Sequence, residues 1–199
     1  MAASYTVNPV LMTHLNPETD YIILAGPTAS GKSALALDLA AAINGVIINA
    51  DSMQVYADLH VLTARPSRAD EALLPHRLYG VIDGAERYSV GNWLRDLQEI
   101  VQQVRAQGRW PILVGGTVFY LNAAEYGISS IPNIPDAVRA EATGLYANLG
   151  GQGCLEKLQG LDPVIAGRLL PSDKQRLIRA LEVVLHTGKA LSYWQNMPR

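Results

Sequence analysis

The sequence predicts an α/β fold, a parallel sheet flanked by helices, and three observations carry that prediction. Short apolar runs at 21–25, 45–48 and 111–114 alternate with stretches of helical periodicity, the pattern of strand–helix–strand crossovers. The first of these strand–helix junctions is Gly26-Pro27-Thr28-Ala29-Ser30-Gly31-Lys32-Ser33, which fits G-x-x-x-x-G-K-[ST] with an apolar run before it and helix formers after it. The 199 residues, 49% apolar and 17% charged, are enough for one sizeable core with a small appendage and exclude a disordered chain. The sheet is therefore expected to be of the P-loop NTPase-like kind.

The elements follow in order. Residues 1–20, with Pro9 and Pro17 and no periodicity, read as a loose leader. Residues 21–127 read as the P-loop α/β core. The strand at 21–25 runs into the glycine loop, and Ser33-Ala34-Leu35-Ala36-Leu37 opens a helix. A second strand follows at 45–48 and a third is expected at 78–82. Residues 89–107 form a long helix with Trp93, Leu97, Ile100, Val101 and Val104 on one face, ended by Gly108. Residues 111–114 are a buried strand, with Gly115-Gly116 at its end. Residues 128–170 read as a small helical insertion: a connector, Ile131-Pro132-Asn133-Ile134-Pro135, then short helices broken by Gly150-Gly151 and Gly160. Residues 171–199 are expected to return to the core through a helix from about 173 to 186. Ser172 and Gln175 have capping-box spacing there, Leu177, Ile178, Leu181, Val184 and Leu185 form its apolar stripe, and Arg176 and Arg179 fall on the opposite side.

Composition excludes several functions. A net charge of −2 argues against binding nucleic acid by bulk electrostatics and leaves room for a local basic face. No Lys or Arg precedes Lys32 and no apolar h-region occurs at the start, so no secretory signal is expected. No apolar stretch reaches the length of a membrane span. Cys154 is the single cysteine, so there is no disulfide framework and a reducing cytoplasm fits. Cys154 reads as a small buried hydrophobe.

The glycine loop dictates phosphate chemistry. Gly26 and Gly31 let the backbone turn tightly against an anion, Lys32 adds a point charge, and the Ser33 hydroxyl can reach a magnesium ion. Asn49-Ala50-Asp51-Ser52-Met53-Gln54 follows the second strand, so the Asp51 carboxylate faces a bound phosphate as a general base, a metal ligand or a helix cap. Gly115-Gly116-Thr117 follows the third buried run with no acid, which argues against an ordinary ATPase. Gly26, Asp51 and Gly115 each follow a strand, so their loops should meet at one crevice. On spacing alone, Thr117 reads as a helix cap, Arg139 as a surface residue, His76 as structural, and Trp93 and Tyr120 as core.

Taken in order, 26–33, Asp51-Ser52-Met53-Gln54-Val55-Tyr56, Thr63-Ala64-Arg65-Pro66, Pro75-His76, Tyr88-Ser89, Gly115-Gly116-Thr117 with Tyr120-Leu121, and 176–183 with Thr187-Gly188-Lys189 resemble the tRNA dimethylallyltransferases, or tRNA isopentenyltransferases. The resemblance implies transfer of a dimethylallyl group from dimethylallyl diphosphate to N6 of the adenosine next to the anticodon. The loop from Gly26 through Pro27, Thr28, Ala29, Ser30, Gly31 and Lys32 to Ser33, with Arg179, would then hold diphosphate rather than ATP. Mg²⁺ would sit on Ser33 as the cofactor. Asp51 would be the base, with Thr117 and Lys32 in the same catalytic group. Asp51, Ser52, Met53, Gln54, Thr117, Arg139, Gln175, Arg176, Leu177, Ile178 and Arg179 would face the tRNA anticodon stem-loop. A cytoplasmic monomer is the expected state. Family members continue beyond the position of Arg199, so the resemblance implies a chain lacking the C-terminal part. Two departures stand out: Val118-Phe119 where the family has Gly after Gly-Gly-Thr, and Ala57-Asp58-Leu59-His60-Val61-Leu62 where it has a basic residue and glycines. Prenylation of free adenine nucleotides, a P-loop small-molecule kinase and a truncated inactive form remain the alternatives.

Overall fold

The structure, a computed structural model, describes residues 21–198. The leader expected at residues 1–20 lies outside them. The described chain divides into two compact units, one ending at Gly127 and the other beginning at Ile128.

The first unit is built on strands β1 (Ile22–Ala25), β2 (Gly45–Asn49), β3 (His76–Arg77) and β4 (Trp110–Gly115), in the order β1-β4-β2-β3 with every pairing parallel. Leu113 sits in register with Ile23 on one side and Ile48 on the other. Alternation along the strands sends side chains to two faces. Val46, Ile48 and Leu113 pack against Trp93, Leu97, Val101 and Val104 of α3 (Val90–Ala106) and Tyr120 of α4 (Val118–Tyr126). Ile47, Ile112 and Val114 pack against Ala36 and Ala40 of α1 (Lys32–Ile43). Helices on both faces explain why β2 is buried throughout and reads as a continuous apolar run. Helix α2 (Arg68–Leu73) carries a full capping box between Ser67 and Asp70. Ser89 caps α3 through the Asn92 N–H, and Gly108 ends it at φ 67°. The Tyr88 hydroxyl, donating to Asp96 at 2.5 Å, ties the start of that helix down.

The third strand differs from the sequence expectation at 78–82. Pairing with β2 involves His76 and Arg77, and the chain then turns through Leu78 at φ 61° and Gly80 at φ 57°, conformations that end an extended run. Ile82 makes only an isolated parallel bridge to Tyr56. His76 pairs with Ile47, its Nδ1 lies 2.9 Å from the Leu74 carbonyl, its ring meets Tyr79 edge-on, and it also borders a cavity shared with Ile47 and Tyr79.

The second unit is helical: α5 (Asp136–Leu161), kinked at Gly150, then α6 (Pro163–Ala166), α7 (Lys174–Thr187) and α8 (Leu191–Gln195). Gly160 does not break α5. The core of this unit includes Ile134, Ala142, Cys154, Leu158, Ile165, Leu177, Leu181 and Leu191. Burial raises the Cys154 thiol pKa, in keeping with a packing role. Buried Asp162 accepts from the Ile165 N–H, the Ser192 N–H and the Ser192 hydroxyl, joining α6 to the start of α8.

Three expectations for residues 171–199 are corrected here. The segment does not return to the sheet core; its helix packs on α5 and belongs to the second unit, because its apolar face is buried with Ala142, Cys154 and Leu158. The buried face is Leu177, Ala180, Leu181 and Val183, whereas Leu185 is exposed, so the stripe is rotated from the one that spacing suggests. No capping box forms at Ser172 and Gln175: Asp173 occupies the cap position and its carboxylate accepts instead from the Leu170 N–H at 3.0 Å.

Candidate functional site

The loops after β1, β2 and β4 lie side by side because those strands are neighbours in the sheet, and all three leave its carboxyl edge. The crevice expected from sequence is assembled within the first unit. A Cβ on Gly115 would lie 2.2 Å from the Ala50 carbonyl, and one on Gly116 would lie 3.0 Å from the Gly26 oxygen, so the three loops touch through bare main chain.

The glycine loop has the shape of an anion cradle. Ala29 (φ 64°) and Gly31 (φ 82°) take left-handed conformations on either side of Ser30. Alternation of that kind turns successive N–H groups toward one point. Helix α1 begins at Lys32 with no side-chain cap and no acid in its first turn, so its N-terminal donors and positive dipole end are left for a ligand. Lys32 Nζ donates to the Pro27 carbonyl at 3.0 Å, folding the ammonium over the loop. Ser33 is exposed at the first turn. A cavity of about 130 Å³ borders Ser33, walled by Ala36, Ile47, Val114, Arg65 and Tyr79.

Asp51 is set by a network that sequence reasoning missed. Asn49 is fully buried at the end of β2. Its Oδ1 accepts from the Asp51 N–H at 2.8 Å, and its Nδ2 donates to the carbonyls of Asp51 and Leu78. The Trp93 indole donates to the Asn49 carbonyl at 2.9 Å. The Met53 N–H donates to Asp51 Oδ1 at 2.9 Å, which leaves Oδ2 for a ligand. The Asp51 charge reaches Tyr120 and Tyr79. Burial first, then Tyr56 and Asp51, pushes the Tyr120 hydroxyl up to about 12. Burial and then Asp51 raise Tyr79 further. The only sequence signal for Asn49 was an amide closing an apolar strand, a place where buried polar groups must be satisfied.

Thr117 does not act as the helix cap that its position suggests. It sits at the N-cap of α4 but makes no cap bond. Its Oγ1 accepts from the Ser52 N–H at 3.0 Å and lies 3.4 Å from the Ser52 hydroxyl, bridging the β2 and β4 loops. Met53 is half exposed beside it in sequence. Gln54 is turned into its own loop, its amide donating to the Thr63 and Ala64 carbonyls. Arg65, nearly buried, reaches the Tyr56 and Ala57 carbonyls and Glu71. Val118 and Phe119 are 67% and 63% exposed, and Val61 and Leu62 are also exposed, so both departures from the family pattern lie on the surface. Trp93 and Tyr120 are core, stacked at 4.6 Å.

In the second unit, Lys174, Gln175 and Arg176 are exposed on the first turns of α7, whereas Leu177 is fully buried and Ile178 half-buried. Arg139 and Arg179 both bind one carboxylate, that of buried Glu182: Arg139 Nε to Oε2 at 3.2 Å and Arg179 Nη1 to Oε1 at 2.6 Å. Among the described residues no cluster of three His, Cys, Asp or Glu side chains is placed to hold a metal, and no helix is long and apolar enough to cross a membrane.

The family model described as IPP transferase matches residues 54–199. This chain belongs to the IPP transferase family. Family relatives include a tRNA dimethylallyltransferase of Rhodospirillum rubrum, 57% identical over 177 residues, which cover 89% of this chain and 54% of that protein. One of Methylocella silvestris is 50% identical over 88% of this chain and 58% of its own length. The chain thus spans about half the length of the curated relatives it matches. Among solved structures, a eukaryotic dimethylallyltransferase acting on tRNA aligns with a TM-score of 0.74 at 28% identity, covering 90% of this chain and 44% of that one. The tRNA isopentenylpyrophosphate transferase of Bacillus halodurans aligns at 0.55 and 33% identity, covering 85% of this chain and 56% of its own. The P-loop NTPase-like fold expected from sequence is the fold of this family.

Proposed function

We propose that this chain carries the donor-binding and proton-abstracting centre of a tRNA prenyltransferase, one that moves a dimethylallyl group from dimethylallyl diphosphate to N6 of an adenosine next to the anticodon. The observation that carries the reading is the meeting of an anion cradle at 26–33 with an Asp51 carboxylate whose main chain and one oxygen are fixed from several sides. The tRNA-acting relatives supply the substrate class. In the reaction the C1–O bond of the donor breaks and the N6–C1 bond forms. Diphosphate leaves into the cradle of N–H groups and Lys32, and Asp51 takes the N6 proton. Donors fixed in advance stabilise the charge that develops on the leaving oxygen. An adenine amine is a weak nucleophile, so its deprotonation as the new bond forms suits a positioned carboxylate. The target base must leave its stack to reach Asp51.

Thr117, held to the Ser52 N–H, fixes the spacing of the two loops that flank the acceptor. The cavity bordering Ser33, about 130 Å³, matches the scale of the donor's five-carbon group, since a cavity of about 150 Å³ takes benzene. The exposed Ser33 hydroxyl is a hard oxygen donor that fits Mg²⁺ beside diphosphate oxygens. When bound, that ion would neutralise charge on the leaving group. Arg139, Gln175, Arg176 and Arg179, with Ser52, Met53 and Gln54, are the proposed tRNA contacts, Leu177 and Ile178 serving to pack the helix that carries them.

The test is transfer of label from radiolabelled dimethylallyl diphosphate to bulk tRNA by the 199-residue chain with Mg²⁺, beside Asp51→Ala. Label on tRNA with the wild type, at least about a hundredfold less with the variant, and equal pyrophosphate binding by both are expected. Label on free AMP in place of tRNA, or ADP release with a small acceptor, would overturn the reading in favour of a nucleotide prenyltransferase or a kinase.

A further inference from the structure

Glu182 lies on α7 and is 4% exposed, yet spacing places a glutamate in a helix on the solvent side by default. It is buried because two guanidinium groups from different helices, Arg139 of α5 and Arg179 of α7, close on its two carboxylate oxygens. Each arginine keeps a solvent-facing part, with side chains 37% and 42% exposed. Arg139 spends Nε on Glu182, and its Nη1 lies 3.7 Å from Asp136, an almost wholly exposed side chain. Arg179 spends a single Nη1 contact. The remaining N–H donors of two planar forks are thus held at fixed spacing, and two like charges that would otherwise repel are kept together by one shared anion. The triad alone carries one net positive charge, which exposed Asp136 beside Arg139 offsets, and α7 adds Lys174 and Arg176 with no acid in its first turn.

We propose that Glu182 is a positioning residue that organises Arg139 and Arg179 into a two-arginine receptor for one phosphate oxyanion. The inference rests on the prenyltransferase reading, in which the ligand is a backbone phosphate of the tRNA stem-loop. Glu182 does not touch the ligand. It fixes the two forks, so that binding loses less side-chain freedom and each fork can present paired donors. A purely structural ion triad would have the same packing and no effect of this kind on affinity.

Glu182→Gln separates the two, because they predict opposite signs. Removing a negative charge next to a phosphate site strengthens long-range attraction, so a structural Glu182 gives unchanged or tighter binding in the variant. A positioning Glu182 gives weaker binding, by about tenfold, since the arginines lose their shared anchor. The 199-residue wild type and variant are titrated with a synthetic anticodon stem-loop and, separately, with inorganic pyrophosphate, and thermal unfolding is followed alongside. A loss confined to the stem-loop supports a receptor for RNA phosphate, and a loss confined to pyrophosphate would overturn it. Arg179→Lys keeps the charge and removes the fork, so it should match the loss if the variant glutamine fails to fold. Wild type that binds neither probe would remove the parent reading and this proposal with it. Wild type that binds while Glu182→Gln, or Arg179→Lys where the glutamine variant does not fold, binds as well or better would overturn the positioning role alone.

Discussion

At the scale of single residues, the site is distinguished by how many side chains serve to hold other groups still. Thr117 is the clearest case, because its hydroxyl is the acceptor for the Ser52 N–H and lies in the chain segment after the other loop. Thr117→Val keeps the shape and removes that acceptor, leaving a part-buried N–H unsatisfied at a cost of about 1–3 kcal/mol. Transfer activity should fall by about tenfold while pyrophosphate affinity stays at the wild-type value, and the melting temperature should drop by a few degrees. A variant with the lower melting temperature and full transfer would reduce the bond to a structural strut. Sequence reading found Thr117 and gave it the wrong local partner, since an N-cap position is recognised from the chain neighbours alone and the bond it makes spans 65 residues. Asn49 was not found at all. Glu182 was passed over because its two partners, one of them 43 residues away, exist only in the folded unit.

At the scale of elements, what was legible is what local chemistry decides. The cradle at 26–33, helix α3 with its Gly108 stop, and β4 followed by paired glycines were all readable from propensity and period. The strand at 78–82 was not, because Leu78 adopts a left-handed conformation that its residue type disfavours and that only tertiary context imposes. The rotated stripe of α7 has a similar cause: Ala180 and Val183 are buried in the cluster that holds Ala142, Cys154 and Leu158, and Leu185 is left outside. Helix α3 is tied to the site through Trp93, which is fully buried, stacked on Tyr120 and bonded to Asn49. Trp93→Phe should therefore lower stability by about 1–3 kcal/mol for the lost bond and the smaller ring. It should also reduce the turnover rate with little change in KM for the donor, because the Asn49–Asp51 network loosens while the cradle does not. Denaturant unfolding and steady-state transfer kinetics check both halves, and an intact turnover rate would uncouple α3 from the carboxylate.

At the scale of the whole molecule, the first unit carries an asymmetric load of tyrosines. Burial raises Tyr21, Tyr79, Tyr88 and Tyr120 above the ordinary value of 10.0, with the Asp96 bond adding to the effect at Tyr88. A group raised in the folded state gives stability that is complete below the unfolded pKa and is lost as pH climbs through the folded one. The unfolded chain releases these protons near pH 10 and the folded unit holds that of Tyr120 to about 12, so stability should decline across that window. Urea unfolding followed at about pH 9, 10 and 11, with tyrosinate absorbance, should show a falling midpoint, and Tyr120→Phe should fall less steeply. A flat midpoint would mean that the hydroxyls are hydrated in the folded protein. The main-chain contact between Gly115 and Ala50 has a consequence for what random mutation can reach. A library selected for folding should return glycine alone at position 115, where any Cβ would enter the Ala50 carbonyl, yet accept most residues except proline at position 52, which contributes its N–H. Tolerance to substitution would then change from none to broad between the two facing loops that flank Asp51.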